Sequence, residues 1–113
     1  MHELALAENV LQMIDDAATV NGFRRVRRIV LEIGQLAAVD PAAMRFCFDA
    51  IVRETIADGA VLEIEEIPGS GWCSACSAIV PMNDAIAACP QCGSFGVQSR
   101  SGRELRLKSL EVE

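Results

Sequence analysis

Two cysteine pairs of identical internal spacing, Cys73-Ser-Ala-Cys76 and Cys89-Pro-Gln-Cys92, stand twelve residues apart in a chain of 113. No other feature restricts the fold as tightly. Each CxxC sets two thiols on one tight turn whose backbone amides point at the sulfurs. Two such turns facing each other supply four thiolates in a tetrahedron, the geometry zinc prefers. Iron suits the same sulfur cage. Pro90 and Gly93 favour the sharp second turn. With all four positions filled by thiolate, no site is left for a water, so the spacing predicts a structural zinc rather than a catalytic one.

A disulfide reading conflicts with the start of the chain. Met1-His2-Glu3 begins acidic and then becomes amphipathic, without the basic start and apolar stretch of a secretory signal. No apolar run is long enough to cross a bilayer, so no membrane role and a cytoplasmic location are expected. A redox CxxC would need one pair in a thioredoxin-like setting, and here there are two pairs. The fifth cysteine, Cys47, falls on an apolar helical stripe and reads as a small buried hydrophobe.

The cysteine-bearing segment is bounded by Pro68-Gly69-Ser70-Gly71 and Ser99-Arg100-Ser101-Gly102, both linker-like in composition. Its larger apolar residues are few (Trp72, Ile79, Val80, Met82, Ile86, Phe95), too few to hold it together without metal. Zinc binding worth about 10–16 kcal/mol would do the ordering. From Gly69 to Gln98 the only charged residue is Asp84, and the whole chain carries a formal charge of −6. Nothing in the segment meets a phosphate backbone, so nucleic acid is not an expected partner.

The remaining chain alternates between two periods. Leu4, Ala7, Leu11, Ile14 and Ala18 recur at helical spacing over residues 3 to 21, and Asn21-Gly22 stops the helix. Residues 26–33 switch to a period of two, with Ile29, Leu31 and Ile33 on one face and Arg28, Val30 and Glu32 on the other. Asp40-Pro41 is an N-cap followed by proline at the first helical position, and Met44, Cys47, Phe48 and Ile51 form the core stripe of the second helix. Leu62 and Ile64 mark a second strand. Glu104 to Lys108 marks a third, with an apolar phase that slips near Ser109. The expected fold is α+β: two helices packed on a three-stranded, mainly antiparallel sheet, with an inserted four-cysteine, zinc-ribbon-like module. The expected division is residues 1–68 as the first part of the main domain, 69–98 as the module, and 99–113 as a linker and last strand.

The single histidine is His2. A free Met1 amine, the His2 backbone nitrogen and the His2 Nδ1 can chelate one ion in fused five- and six-membered rings. Deprotonated amide nitrogen favours square-planar nickel(II) or copper(II). The plain alternative is a solvated side chain beside Glu3, whose carboxylate complements the helix dipole. No nucleophile–base pair is evident, so an enzyme is not expected.

Several segments resemble one known family. They are Met1-His2-Glu3-Leu4, Val39-Asp40-Pro41, Gly59-Ala60-Val61-Leu62, Ile67-Pro68, Cys89-Pro90-Gln91-Cys92-Gly93-Ser94 and Ser101-Gly102-Arg103-Glu104-Leu105. In this order, and over essentially the whole chain, they look like the HypA/HybF family of NiFe-hydrogenase maturation nickel metallochaperones. The resemblance implies a nickel domain and a zinc domain. It implies Ni(II) as transferable cargo at the Met1 amine and His2, with Glu3 contributing. Asp40 matches a position that can add a carboxylate oxygen; read from the residues alone, Asp40 is a helix cap. Zn(II) would be held by Cys73, Cys76, Cys89 and Cys92. The implied partners are a hydrogenase maturation GTPase and the NiFe-hydrogenase large subunit, with urease served by some members. Two departures stand out. This chain has no histidine near the cysteine pairs, and Ser77 replaces the glycine that often follows the first CxxC. The rival reading is a zinc-ribbon protein–protein adaptor without a nickel role.

Overall fold

The computed structural model describes residues 2–83 and 88–113. Met1, Asp84 and Ile86 therefore lie outside the described residues. The elements run α1 (His2–Asn21), β1 (Val26–Gly34), α2 (Pro41–Ile51), β2 (Val61–Ile67), β3 (Ser70–Cys73), β4 (Ala78–Pro81), β5 (Gln98–Ser101) and β6 (Leu105–Val112). They form two three-stranded sheets, ordered β2-β1-β6 and β4-β3-β5.

The first sheet is mixed. The Arg24 amide donates to Glu113 O and the Gly34 amide to Glu104 O, so β6 runs antiparallel to β1. The Gln35 amide donates to Ile67 O, joining the C-terminal ends of β1 and β2, so those two run parallel. A parallel pair needs a long crossover, and α2 lies within it. The antiparallel expectation thus holds for one pairing of two.

The central position of β1 changes its burial. Ile29 through Ile33 are all buried, including Val30 and Glu32, which the alternating pattern had assigned to an outer face. Arg28 donates to Glu63 at 2.8 Å, and Lys108 to Glu65 at 2.8 Å. Long side chains from flanking strands cover the middle of such a face with their aliphatic stems. The buried stripe of α1 is Ala7, Val10 and Ile14, while Leu4 is 39% exposed. The helical repeat tracks 3-7-10-14 rather than 4-7-11-14. On α2, Met44, Cys47 and Phe48 are buried. Burial of a side chain as large as Phe48 or Ile14 contributes about 1.5–3 kcal/mol. Among the described residues, no helix is long and apolar enough to cross a membrane.

The chain divides into two compact units. One comprises Met1–Leu31, Val39–Glu65 and Arg106–Glu113; the other comprises Glu32–Ala38 and Glu66–Leu105. In the second unit the segments that looked like linkers are paired strands. Ser70 pairs with Ser101, Gly71 with Ser99, and β3 also pairs antiparallel with β4. Their small residues serve close approach rather than flexibility: a Cβ at Gly71 would collide with Val97 and the backbone of Gln98. Gly34 likewise has no room for a methyl, which would overlap the Gly102 carbonyl.

Candidate metal centre

The two CxxC turns meet. Cys73 Sγ lies 3.6 Å from Cys92 Sγ, and Cys76 Sγ lies 3.8 Å from Cys89 Sγ. All four sulfurs fall within 4.8 Å of one another. A tetrahedron with metal–sulfur bonds of about 2.3 Å has sulfur–sulfur edges of about 3.8 Å. The thiols are thus already spaced to hold such an ion, and each close contact joins one turn to the other.

Local structure sets this spacing. β3 ends on Cys73 and β4 starts at Ala78, so the first CxxC is the turn of a hairpin. In the second turn the Gly93 amide donates to Cys89 O at 2.8 Å, and the Cys89 amide to Ser94 O at 2.8 Å. The residue after each pair sits in the left-handed region: Gly93 at φ 76° and Ser77 at φ 52°. Glycine occupies that region without penalty and serine does not. Ser77 is therefore a local compromise, tolerated because the turn around the sulfurs dictates the backbone.

The sulfurs also form the core of their unit. Cys73 and Cys89 are buried with Val80, and Cys76 and Val97 pack against them. Cys92 is exposed. In the metal-free cluster, hydrogen bonding with Cys92, followed by burial, pushes the Cys76 thiol up to about 12. Burial also pushes Cys89 upward, but the backbone amides of Cys92 and Gln91 outweigh it and lower that thiol to about 7. The Gln91 amide reaches Cys89 Sγ at 3.4 Å. The Cys89 thiol therefore ionises more readily than that of Cys76.

At the other candidate site, His2 opens α1, where the first backbone amides have no intrahelical acceptor. His2 Nε2 lies 3.4 Å from Glu3 Oε2; the His2 side chain is 54% exposed and that of Glu3 is 12% exposed. The same Glu3 oxygen accepts from the Asp40 amide at 3.3 Å. Asp40 caps α2, its Oδ1 accepting from the Ala42 amide at 3.0 Å. The fold thus brings His2, Glu3 and Asp40 into one neighbourhood, although 37 residues separate Glu3 from Asp40. Among the described residues, the four cysteines are the only group of three or more metal-binding side chains with ligand atoms close together.

These features, a tetrathiol centre in one unit and a histidine at the head of a two-helix α+β unit, define a small metal-handling protein. The chain belongs to the HypA family: the family model described as hydrogenase/urease nickel incorporation, metallochaperone, matches residues 1–112. It is 53% identical, over all of both chains, to the hydrogenase maturation factor HypA of Albidiferax ferrireducens, and 49% identical to that of Azotobacter vinelandii. The solution structure of the Ni metallochaperone HypA from Helicobacter pylori is similar at 27% identity with a TM-score of 0.72, covering 99% of this chain and 97% of that one.

Reading the sequence missed one pocket. Ser99, Arg100, Ser101, Arg103 and Glu104 line a cavity of about 450 Å³. The available signal was that residues 66–105 contain only two basic side chains, Arg100 and Arg103, three positions apart.

Proposed function

We propose that this chain carries nickel(II) at its N-terminus for hydrogenase maturation, while zinc(II) held by Cys73, Cys76, Cys89 and Cys92 keeps the second unit folded. The observation that carries the nickel reading is the contact between His2 Nε2 and Glu3. A carboxylate beside Nε2 favours the N–H on that nitrogen and leaves Nδ1 as the donor, an arrangement common around metal-bound histidines. Nδ1 is the nitrogen that can close a chelate ring with the His2 backbone nitrogen and the Met1 amine. Glu3 then orients the imidazole, and Asp40 stands next in line as a carboxylate the ion can recruit. The exposed His2 suits a cargo ion, which a partner with more ligands can remove. We take those partners to be a hydrogenase maturation GTPase and the hydrogenase large subunit, which the family's role in hydrogenase maturation supports. For the thiol site, zinc matches the spacing of the sulfurs and needs no redox chemistry.

Calorimetric titration of nickel into zinc-loaded protein tests this, comparing the natural sequence with His2→Ala. One nickel per chain, lost in the variant while zinc is retained, is the expected result. Equal binding by both would move the nickel site elsewhere. No binding by either would leave a zinc-stabilised adaptor. Asp40→Asn, which preserves a helix cap, separates the two roles of that residue: weaker nickel binding at unchanged thermal stability marks Asp40 as a ligand.

A further inference from the structure

We propose that the pocket at Ser99–Glu104 is a docking site for an acidic peptide segment of a partner protein, gripped by Arg100 and Arg103. The chain is acidic overall, at −6, yet these two arginines are the only basic residues between Glu66 and Leu105. Both are exposed, and both line the same cavity of about 450 Å³. Three cations elsewhere meet carboxylates: Arg27 meets Glu113, Arg28 meets Glu63 and Lys108 meets Glu65. Among the described residues neither Arg100 nor Arg103 has a carboxylate within ion-pair distance. The one acid in the wall, Glu104, accepts from the Gly102 amide at 2.6 Å.

The hydroxyls divide their work. Ser101 Oγ is committed to the strands, 2.6 Å from Ser70 Oγ and 3.0 Å from Pro68 O. Ser99 Oγ accepts from Arg103 Nε at 3.2 Å, which steadies the guanidinium and leaves its Nη donors open. A planar fork held this way suits bidentate pairing with a carboxylate. Free phosphate fits less well. Phosphate sites draw on converging backbone amides, and here the Gly102 amide already serves Glu104. A nucleic-acid strand would meet repulsion from the rest of the acidic chain. A peptide carrying two nearby carboxylates matches two guanidiniums three positions apart.

The test is an NMR titration of zinc-loaded, isotope-labelled full chain with a capped hexaglutamate peptide, following the arginine Nε–H signals and the backbone amides of residues 99–104. A Gly-Ser peptide of equal length and inorganic phosphate serve as comparison ligands. The expected result is saturable shifts at these residues with hexaglutamate, weakened by added salt. Replacing both arginines (R100Q with R103Q) should weaken binding by about tenfold, the loss of two exposed charge pairs. Glu104→Gln keeps an acceptor for the Gly102 amide while removing the opposing charge, and should tighten binding. Unchanged hexaglutamate affinity in the double variant, or shifts confined to Arg24–Arg28, would overturn the proposal. Tighter binding of phosphate than of the peptide would also overturn it, in favour of a simple oxyanion site.

Discussion

The tetrathiol centre and the head of α1 differ first in burial. Cys73 and Cys89 are 0% and 3% exposed and pack with Val80 as the core of their unit. The His2 side chain is 54% exposed and rests on a single carboxylate contact. Where ligand atoms are also the core, losing the ion and losing the fold are one event. On the proposed assignment, donors that project from the first turn of a helix whose buried stripe lies further along, at Ala7, Val10 and Ile14, would let an ion leave without disturbing the packing. Retention and release follow from whether the donors carry structural weight.

The strongest way to break this contrast is Cys89→Ser. It removes a buried thiol of the tetrathiol cluster, so zinc stoichiometry by elemental analysis should fall well below one. The amide dispersion of residues 66–105 should collapse, while α1 and α2 keep their circular dichroism. A variant that kept both zinc and dispersion would show that the second unit does not need the ion.

Acid should sharpen the contrast from the zinc side. Zinc must displace a proton from every thiol that still holds one. Cys76, raised to about 12, is protonated in the metal-free cluster across the neutral range. Cys89, lowered to about 7, is ionised above that pH and protonated below it. Zinc affinity therefore falls as pH falls, and each pH unit below about 7 costs roughly a further tenfold compared with each unit above it. Chelator competition between pH 8 and pH 6 measures the slope, and a slope with no break near pH 7 would contradict the lowered Cys89 thiol.

At the other site, Glu3→Gln keeps a neutral acceptor but weakens the grip on the imidazole. Nickel affinity should drop by about tenfold, the usual size of losing a group that orients a metal ligand, with zinc content unchanged. An equal loss of both metals would mean that the sites are not independent. The smallest effect is expected at Ser77→Gly. At φ 52° serine pays a backbone penalty that glycine avoids, partly offset by the greater entropy of glycine in the unfolded chain. A net gain of about 0.5–1 kcal/mol in the stability of the zinc-loaded protein is expected, read from denaturant midpoints.

Much of this molecule was legible along the chain. The paired CxxC spacing identifies four thiols able to meet, because each turn places two of them locally and only one approach between turns is needed. The Asp40-Pro41 signal locates the start of α2, since capping depends on a few adjacent residues. Period-two runs mark β1, β2 and β6. What local pattern could not decide was which faces are covered. Val30 and Glu32 alternate like an outer face and are buried because β1 is the central strand. Ser70-Gly71 and Ser99-Arg100-Ser101 have the composition of linkers and are strands because they pair with each other. The contact from Glu3 to Asp40 and the pocket that isolates Arg100 and Arg103 depend on the same kind of long-range placement. Residue type and spacing determined which donors this chain owns. Tertiary structure decided which of them are buried, paired or left open, because burial and pairing belong to neighbours that sequence order does not supply.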